Sequence, residues 1–316
     1  FLDDAERAIF NVSEKRIRAS FIRVGDVMTD TIKKVDELYH RKEMVTGVPT
    51  GYRDLDRLTA GFQPSDLLIV AGRPGMGKTA FALNVAVNAA FQGIGVAIFS
   101  LEMAMEQLVL RMLCAEARVD YSRLRTGYLR ENEFPALVKT AGQLGDAPVY
   151  IDDTPAVTVL EVRAKTRRLM RDRTRKIGLV VIDYLQLMRA HRNSPNREQE
   201  ISEISRSLKA LAKELSVPIV ALSQLNRRVE ERGDKHPQMA DLRESGAIEQ
   251  DADVIMFVYR DEAYDVNKNP GVAEINVAKQ RNGPVDTVKL AFLKEYTRFE
   301  DYSGRAAEGY SETEEY

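Results

Sequence analysis

One octapeptide constrains this chain of 316 residues more than anything else in it. Gly72, Arg73, Pro74, Gly75, Met76, Gly77, Lys78 and Thr79 follow the pattern G-x-x-x-x-G-K-[ST], and they stand between the apolar run Leu67–Ala71 and the helical pattern Ala80–Phe91. The context carries the argument. A strand, a glycine-rich loop and a helix in that order point successive backbone N–H groups at one spot, where the helix dipole also favours an anion. The glycines let the chain turn tightly, so the loop and Ala80 behind it are expected to cradle the phosphates of ATP. Lys78 is expected to reach the β and γ phosphates, and Thr79 to offer its hydroxyl to Mg²⁺, a cation that takes oxygen ligands.

Such a loop works with a second strand. Leu179-Val-Val-Ile-Asp183 is an apolar run ending in a carboxylate, the form of an element that holds the metal beside the loop. Asp183 alone would read equally well as a turn cap; paired with the loop it reads as the second metal ligand. Tyr184 follows it, so no second acid stands beside it, and the group that polarises water must come from elsewhere. Val96-Ala-Ile-Phe-Ser-Leu-Glu102 supplies Glu102 at a strand end. The strand after the loop's helix is expected beside the loop's own strand, which makes Glu102 the candidate base. An N-cap for the helix Met105–Ala117 is the other reading of this residue.

Short apolar runs continue to alternate with helical patterns: Val149–Ile151, Ile219–Leu222, Val254–Val258 and Glu274–Ala278 join those above. This alternation predicts an α/β fold with a mostly parallel central sheet buried between helix layers. From Glu274 to about Phe299 the runs lie close together, with Asn282-Gly283-Pro284 between two of them, and predict an antiparallel hairpin at the sheet edge. Upstream, Leu2–Arg18 carries Leu2, Ala5, Ile9, Val12 and Ile17 near one helical face, and Arg23–Arg41 is helical again before Thr46-Gly-Val-Pro-Thr-Gly51 breaks it. The expected organisation is a helix over 1–20, a helical connecting arm over 21–46, the α/β domain over 47–305 and an acidic disordered tail over 306–316. The chain opens on Phe1, the expectation for a piece of a longer polypeptide.

Charge excludes other readings. Lys plus Arg total 46 against 48 Asp plus Glu, so no bulk positive field announces a polyanion, and any such contact must be local. The single cysteine, Cys114, and three scattered histidines offer no disulfide and no metal-site spacing, which fits a reducing, cytoplasmic setting. No apolar stretch approaches the roughly 20 residues that a bilayer-spanning helix needs, so no membrane role is expected.

At Phe99-Ser-Leu-Glu-Met103, Val181-Ile-Asp-Tyr-Leu-Gln-Leu187, Ala221-Leu-Ser-Gln-Leu225, the run Leu242–Asp253 and Ala278-Lys-Gln-Arg-Asn-Gly-Pro284, the chain resembles the motor domain of the bacterial replicative helicase family DnaB. The likeness runs nearly continuously over about residues 1 to 300. It implies a RecA-like P-loop NTPase fold preceded by a linker helix at Leu2–Arg18, and a hexameric ring with ATP and Mg²⁺ held between subunits. It also implies single-stranded DNA in the channel, movement 5′ to 3′, and a primase and a helicase loader as partners. The family's N-terminal domain, which precedes that linker, is missing from this chain.

The resemblance further implies roles by position. Lys279 and Arg281 match the basic pair that reaches into the neighbour's nucleotide, with Arg281 as the arginine finger; without the family they read as a charged pair guarding an edge strand, two residues apart on one face. Gln224 matches the γ-phosphate sensor. Arg243, Glu244 and Gly246 match the contact positions of a loop that follows the DNA backbone, where main-chain N–H groups can hold phosphates without reading bases. A surface loop with an N-cap at Ser245 is the plainer alternative. Two other functions stay open beside a helicase: a RecA/RadA-type repair or recombination ATPase, and a ring in which ATP acts only as an assembly switch. DNA-stimulated hydrolysis and strand separation tell them apart.

Three features read as structural. Arg163–Lys176 holds eight basic residues and one acid and predicts a solvated helix face. Ile201, Ile204, Leu208, Leu211 and Leu215 recur at helical spacing and predict a core stripe. Cys114 lies among Leu110, Met112 and Leu113 and reads as a small buried hydrophobe.

Overall fold

Alternating side chains of one strand feed two separate cores. In β1 (Leu67–Gly72), Leu68 and Val70 pack on one face and Leu67, Ile69 and Ala71 on the other, all essentially inaccessible to water. Only a strand with helices on both sides is apolar throughout. The computed structural model describes residues 22–41, 44–172, 174–190 and 196–304, and within them all side chains but those at 34, 37, 38, 41 and 243–245. The helix expected at Leu2–Arg18 and the tail 306–316 lie outside the described residues.

The chain divides into two units, 1–44 and 45–316. The first contains the helix α1 (Val24–Arg41), whose Val24, Val27, Met28, Ile32 and Val35 share one side. The second opens with α2 (Arg53–Thr59) and β1, and continues through α3 (Lys78–Phe91), β2 (Gly95–Ser100), α4 (Met105–Ala117), α5 (Tyr121–Thr126), α6 (Glu133–Asp146) and β3 (Val149–Asp152). Then come α7 (Val159–Arg171), β4 (Ile177–Asp183), α8 (Arg197–Leu215), β5 (Ile219–Gln224), α9 (Gly246–Asp251) and β6 (Val254–Tyr259). The last elements described are β7 (Val272–Gln280), β8 (Asp286–Leu293) and β9 (Arg298–Asp301).

Among the described residues, all strands join one nine-stranded sheet in the order β3-β2-β4-β5-β1-β6-β7-β8-β9. From β3 to β6 the pairing is parallel; β7, β8 and β9 add in antiparallel fashion, with Asn282-Gly283-Pro284 between β7 and β8. The mostly parallel sheet with its antiparallel edge is as expected. The neighbour of β1 is not. The strand after the loop's helix was expected beside β1, yet β2 stands apart from it, with β4 and β5 between them. The α3 crossover is long enough to pass over both, and its buried residues Phe81, Val85 and Ala89 cover that face of the sheet.

The core stripe is confirmed in α8, where Ile201, Ile204, Leu208 and Leu211 are buried. Each such side chain contributes about 1.5–3 kcal/mol relative to exposure. Cys114 is fully buried, and burial pushes its thiol up to about 11. The basic face of α7 is locally neutralised: Arg163 and Arg167 pair with Glu214, and Lys165 with Asp152.

Candidate functional site

Five parallel strands deliver their carboxyl ends to one edge of the sheet. Gly72 pairs with Gln224 across β1 and β5, Ser100 with Asp183 across β2 and β4, and Ala71 with Phe257 across β1 and β6. This edge is where a doubly wound sheet leaves a crevice, since the helices leave it on opposite faces. A cleft of about 450 Å³ opens there, lined by Gly75, Gly77, Lys78, Thr79, Glu102, Arg111, Asp183, Tyr184, Gln224, Arg260, Phe292 and Lys294 among others.

The loop's shape follows from its glycines. At Gly72 a Cβ would lie 2.8 Å from the carbonyl oxygen of Val258, because β6 packs tightly alongside. Gly77 caps α3 with φ +99°, a region that side chains avoid, and a Cβ there would press on the Phe299 ring at 3.1 Å. Phe292 and Phe299, from the antiparallel strands, thus form the wall against which the loop turns.

Lys78 donates to the Arg73 carbonyl oxygen at 3.2 Å. Burial lowers its ammonium to about 8, partly offset by Asp183 and Glu102, so the protein alone holds this cation less firmly than water would. A polyphosphate beside it would push the ammonium back up. Thr79 Oγ1 donates to Asp183 Oδ2 at 2.9 Å. Burial first, then Glu102, push the Asp183 carboxyl up to about 6. A hydroxyl and a buried carboxylate at that spacing are an oxygen set suited to Mg²⁺, and a divalent cation against them would bring that carboxyl back down.

Glu102 reaches this pocket by a route the sequence did not indicate. Although β2 is remote from β1, its end is tied to that of β4: Leu101 N–H donates to the Asp183 carbonyl at 2.7 Å, and Ser100 Oγ donates to the Met103 carbonyl at 2.6 Å. The turn therefore sets Glu102 beside Asp183, exposed to the cleft. It is no helix cap. The N-cap of α4 is Ala104, and the Met105 N–H donates to Asp153 Oδ2 at 3.0 Å.

Gln224 ends β5 with its side chain in the cleft, and its N–H donates to Gln186 Oε1 at 3.2 Å. Gln186 also donates to Ser223 Oγ at 3.0 Å. Beyond Gln224 the polar segment is partly ordered as a 3₁₀ turn, Arg227–Glu231, and another, Met239–Ser245, runs directly into α9 at Gly246. Arg243 and Glu244 lie on that second turn, and nothing is described of their side chains or of a cap at Ser245.

Lys279 and Arg281 lie elsewhere. The Arg281 N–H bonds to the Asp253 carbonyl at 2.9 Å, and the Asp253 N–H bonds to the carbonyl of Leu67, the first residue of β1. The phosphate loop leaves the other end of that strand, roughly 17 Å away at about 3.3 Å per residue. The expected shared strand face also needs correction: β7 ends at Gln280, and the ladder slips between Ile255 and Met256, opposite Val277 and Lys279. Both cations nevertheless converge on the carboxyl end of α9. Lys279 Nζ donates to the carbonyls of Glu249 and Ala252, and Arg281 Nη2 to that of Gln250.

Arg260 is the residue that sequence reasoning missed. It follows β6, and its side chain is only 7% exposed. Its Nη2 donates to the Gly75 carbonyl at 3.0 Å, its guanidinium stacks 4.1 Å from the Phe292 ring centroid, and Nε and Nη1 have no hydrogen-bond partner. A buried guanidinium beside a phosphate loop, with two donors lacking hydrogen bonds and its carboxylate neighbour Glu262 no nearer than 3.9 Å, suits an anionic ligand. No local signal marked it, because only the fold shows that the strand it follows lies next to β1. Arg73 is also buried, bonded to Glu230 Oε1 at 2.8 Å and the Leu225 carbonyl at 2.7 Å, so it braces the loop instead of facing the cleft.

Residues 47–301 match the model of the DnaB-like helicase C-terminal domain. The replicative DNA helicase DnaB of Geobacillus stearothermophilus is 53% identical over 301 residues, 94% of this chain and 66% of that protein. The replicative DNA helicase DnaB of Haemophilus influenzae is 51% identical over 308 residues, 95% of this chain and again 66% of the relative. This chain therefore spans just under two thirds of those relatives. Among solved structures, one described as an ATPase domain superposes with a TM-score of 0.85 at 37% identity, covering 89% of this chain and 100% of that one. A DnaB-like replicative helicase, described with its interactions with primase, gives 0.82 at 35% identity over 94% of this chain and 72% of that one.

Proposed function

The chain belongs to the DnaB-like helicase C-terminal domain family, and from that premise we propose that it is the motor of a replicative DNA helicase: an ATPase completed between subunits of a hexameric ring, which moves along single-stranded DNA and parts the duplex. The observation that carries this reading is the separation of Arg281 from the chain's own phosphate loop by the length of β1. A single copy holds every part of the cleft except the trans-acting cations.

In this reading Gly72, Arg73, Pro74, Gly75, Met76, Gly77, Lys78, Thr79 and Ala80 form the cradle for the ATP phosphates. Thr79 and Asp183 hold Mg²⁺, which when bound neutralises charge on the phosphate oxygens. Glu102 accepts a proton from the attacking water, help worth roughly 10²–10⁴ in rate. Its exposure to the cleft and its place beside Asp183 support that role. Lys279 and Arg281 of the adjacent subunit neutralise charge that develops on the transferred group; a finger of this kind contributes roughly 10³–10⁵. Gln224 responds to the γ phosphate, and the chain from Asn226 to Gly246 links it to the DNA-contacting positions Arg243, Glu244 and Gly246. A primase and a loader are the partners proposed, and the cytoplasm is the proposed setting.

Complementation in mixed rings tests the shared site. Arg281→Ala and Glu102→Gln subunits, each inactive alone, are expected to regain ATP hydrolysis when mixed, because one kind of interface then pairs an intact Glu102 with an intact Arg281. Mixed rings that stay as inactive as their parents would defeat the proposal, as would full hydrolysis by an isolated monomer. Strand separation on a forked duplex, against strand exchange, distinguishes a helicase from a recombination ATPase.

A further inference from the structure

Asp253 lies where α9 hands over to β6, and its carboxylate is 6% exposed. It touches three parts of the molecule at once. Oδ2 accepts from the Leu67 N–H at 2.8 Å and from Lys209 Nζ, while Oδ1 faces Arg281 Nη1 at 3.4 Å. Lys209, on α8, is itself fixed by the Ser65 carbonyl at 2.8 Å. The carboxylate is thus held from behind by the start of the phosphate-loop strand and by α8, and presents its free side to Arg281.

The three carbonyls that take Lys279 and Arg281 belong to the last turn of α9 and its continuation at Ala252. Carbonyls at a helix carboxyl end favour cations, but two cations side by side repel, and the nearest buried countercharge is Asp253. α9 spans Gly246–Asp251, so it is about 9 Å long and has no room to bend. Ile248, fully buried, fixes it to the core. Its first residue, Gly246, is the last of the three proposed DNA-contact positions.

We propose that Asp253 is a positioning residue for Arg281, and that α9 is a rigid strut by which DNA held at Gly246 in one subunit sets the placement of the cations that complete the neighbour's ATP site. This rests on the reading of Arg281 as a trans-acting finger. A tilt of α9 about its anchor at Ile248 moves the carbonyls at its far end, and Lys279 and Arg281 move with them as a pair. Asp253, anchored to β1, keeps Arg281 aimed along one line while that happens. The strut makes hydrolysis at one interface responsive to DNA bound by the subunit that lends the cations.

The test uses the assembled ring with single-stranded DNA. Asp253→Asn keeps an oxygen for the Leu67 N–H and removes the charge that faces Arg281. The expected result is a KM for ATP within twofold of the parent, kcat lowered by about tenfold or more, the scale of one hydrogen bond to a charged group, and stimulation by DNA falling towards one. Asp253→Glu, which restores the charge, is expected to recover part of both losses. Lys209→Met frees Asp253 without touching Arg281 and is expected to give the same split between kcat and KM in weaker form; it decides the matter should Asp253→Asn fail to fold. If Asp253→Asn, or Lys209→Met in its place, lowers the melting temperature but leaves kcat and DNA stimulation within twofold, the positioning role is overturned. Arg281→Ala is measured alongside: undiminished turnover in that variant would defeat the finger assignment itself, a failure distinct from that of the strut.

Discussion

Gly72 and Gln224 lie directly opposite each other in the parallel ladder between β1 and β5. The first residue of the phosphate loop and the proposed phosphate sensor are therefore one strand spacing apart, about 4.8 Å. Gln224→Ala removes the amide and leaves the ladder intact. Nucleotide binding is expected to stay within a few-fold, measured by titration with a fluorescent ATP analogue, while stimulation of hydrolysis by single-stranded DNA disappears. Unchanged stimulation would remove Gln224 from the signalling path.

Glu102→Gln keeps the size of the side chain and its place beside Asp183. Turnover is expected to fall roughly 10²–10⁴-fold with nucleotide still bound, which single-turnover kinetics would separate from a binding defect. A variant retaining a tenth of the activity or more would point to another base.

Arg260→Met preserves much of the apolar stem that lies on Phe292 and removes donors aimed at the cleft. Loss of one charge-assisted contact costs about 1.5–3 kcal/mol, so ATP affinity is expected to drop by roughly ten- to a hundredfold. Equal affinity in calorimetry would assign Arg260 to bracing Gly75 alone.

Asp66 gives a pH signature. Burial, and then the charge of Asp253, raise its carboxyl from 3.8 to about 6. Between those values the folded chain binds the proton more tightly than the unfolded one, so this contribution to stability is complete below about pH 4 and is lost as pH rises through about 6. Asp66→Asn cannot ionise. It is expected to melt above the parent at about pH 7 and level with it near pH 4; an equal gap at both pH values would show that the gain has another cause.

The glycine-rich loop, the strand end that bears Asp183 and the two-sided strands were legible because each depends on neighbours in sequence. Gly77, Lys78 and Thr79 carry their chemistry in their spacing, and Asp183 follows an unbroken apolar run. Strand order was not legible, since nothing local in Gly95–Ser100 says whether it pairs with β1 or β4. Glu102 reaches the cleft although its strand has a different neighbour from the expected one, and the tie from Leu101 to Asp183 is what brings it in. Arg260 and Gln186 escaped for the same reason: a lone arginine after a strand, or a glutamine in a 3₁₀ turn, has no pattern until the fold surrounds it.

The wall behind Gly77 is made by Phe292 and Phe299, and the Phe299 N–H closes on Asn84 Oδ1 at 2.7 Å, 215 residues back in the chain. A ribosome must therefore release almost the whole domain before the P-loop has anything to lean on. Until then the nascent polypeptide has the octapeptide without its backing, and premature termination anywhere before Phe299 discards the pocket along with the final strand. Ligand capture is thereby reserved for molecules whose synthesis has passed the last strand of this domain.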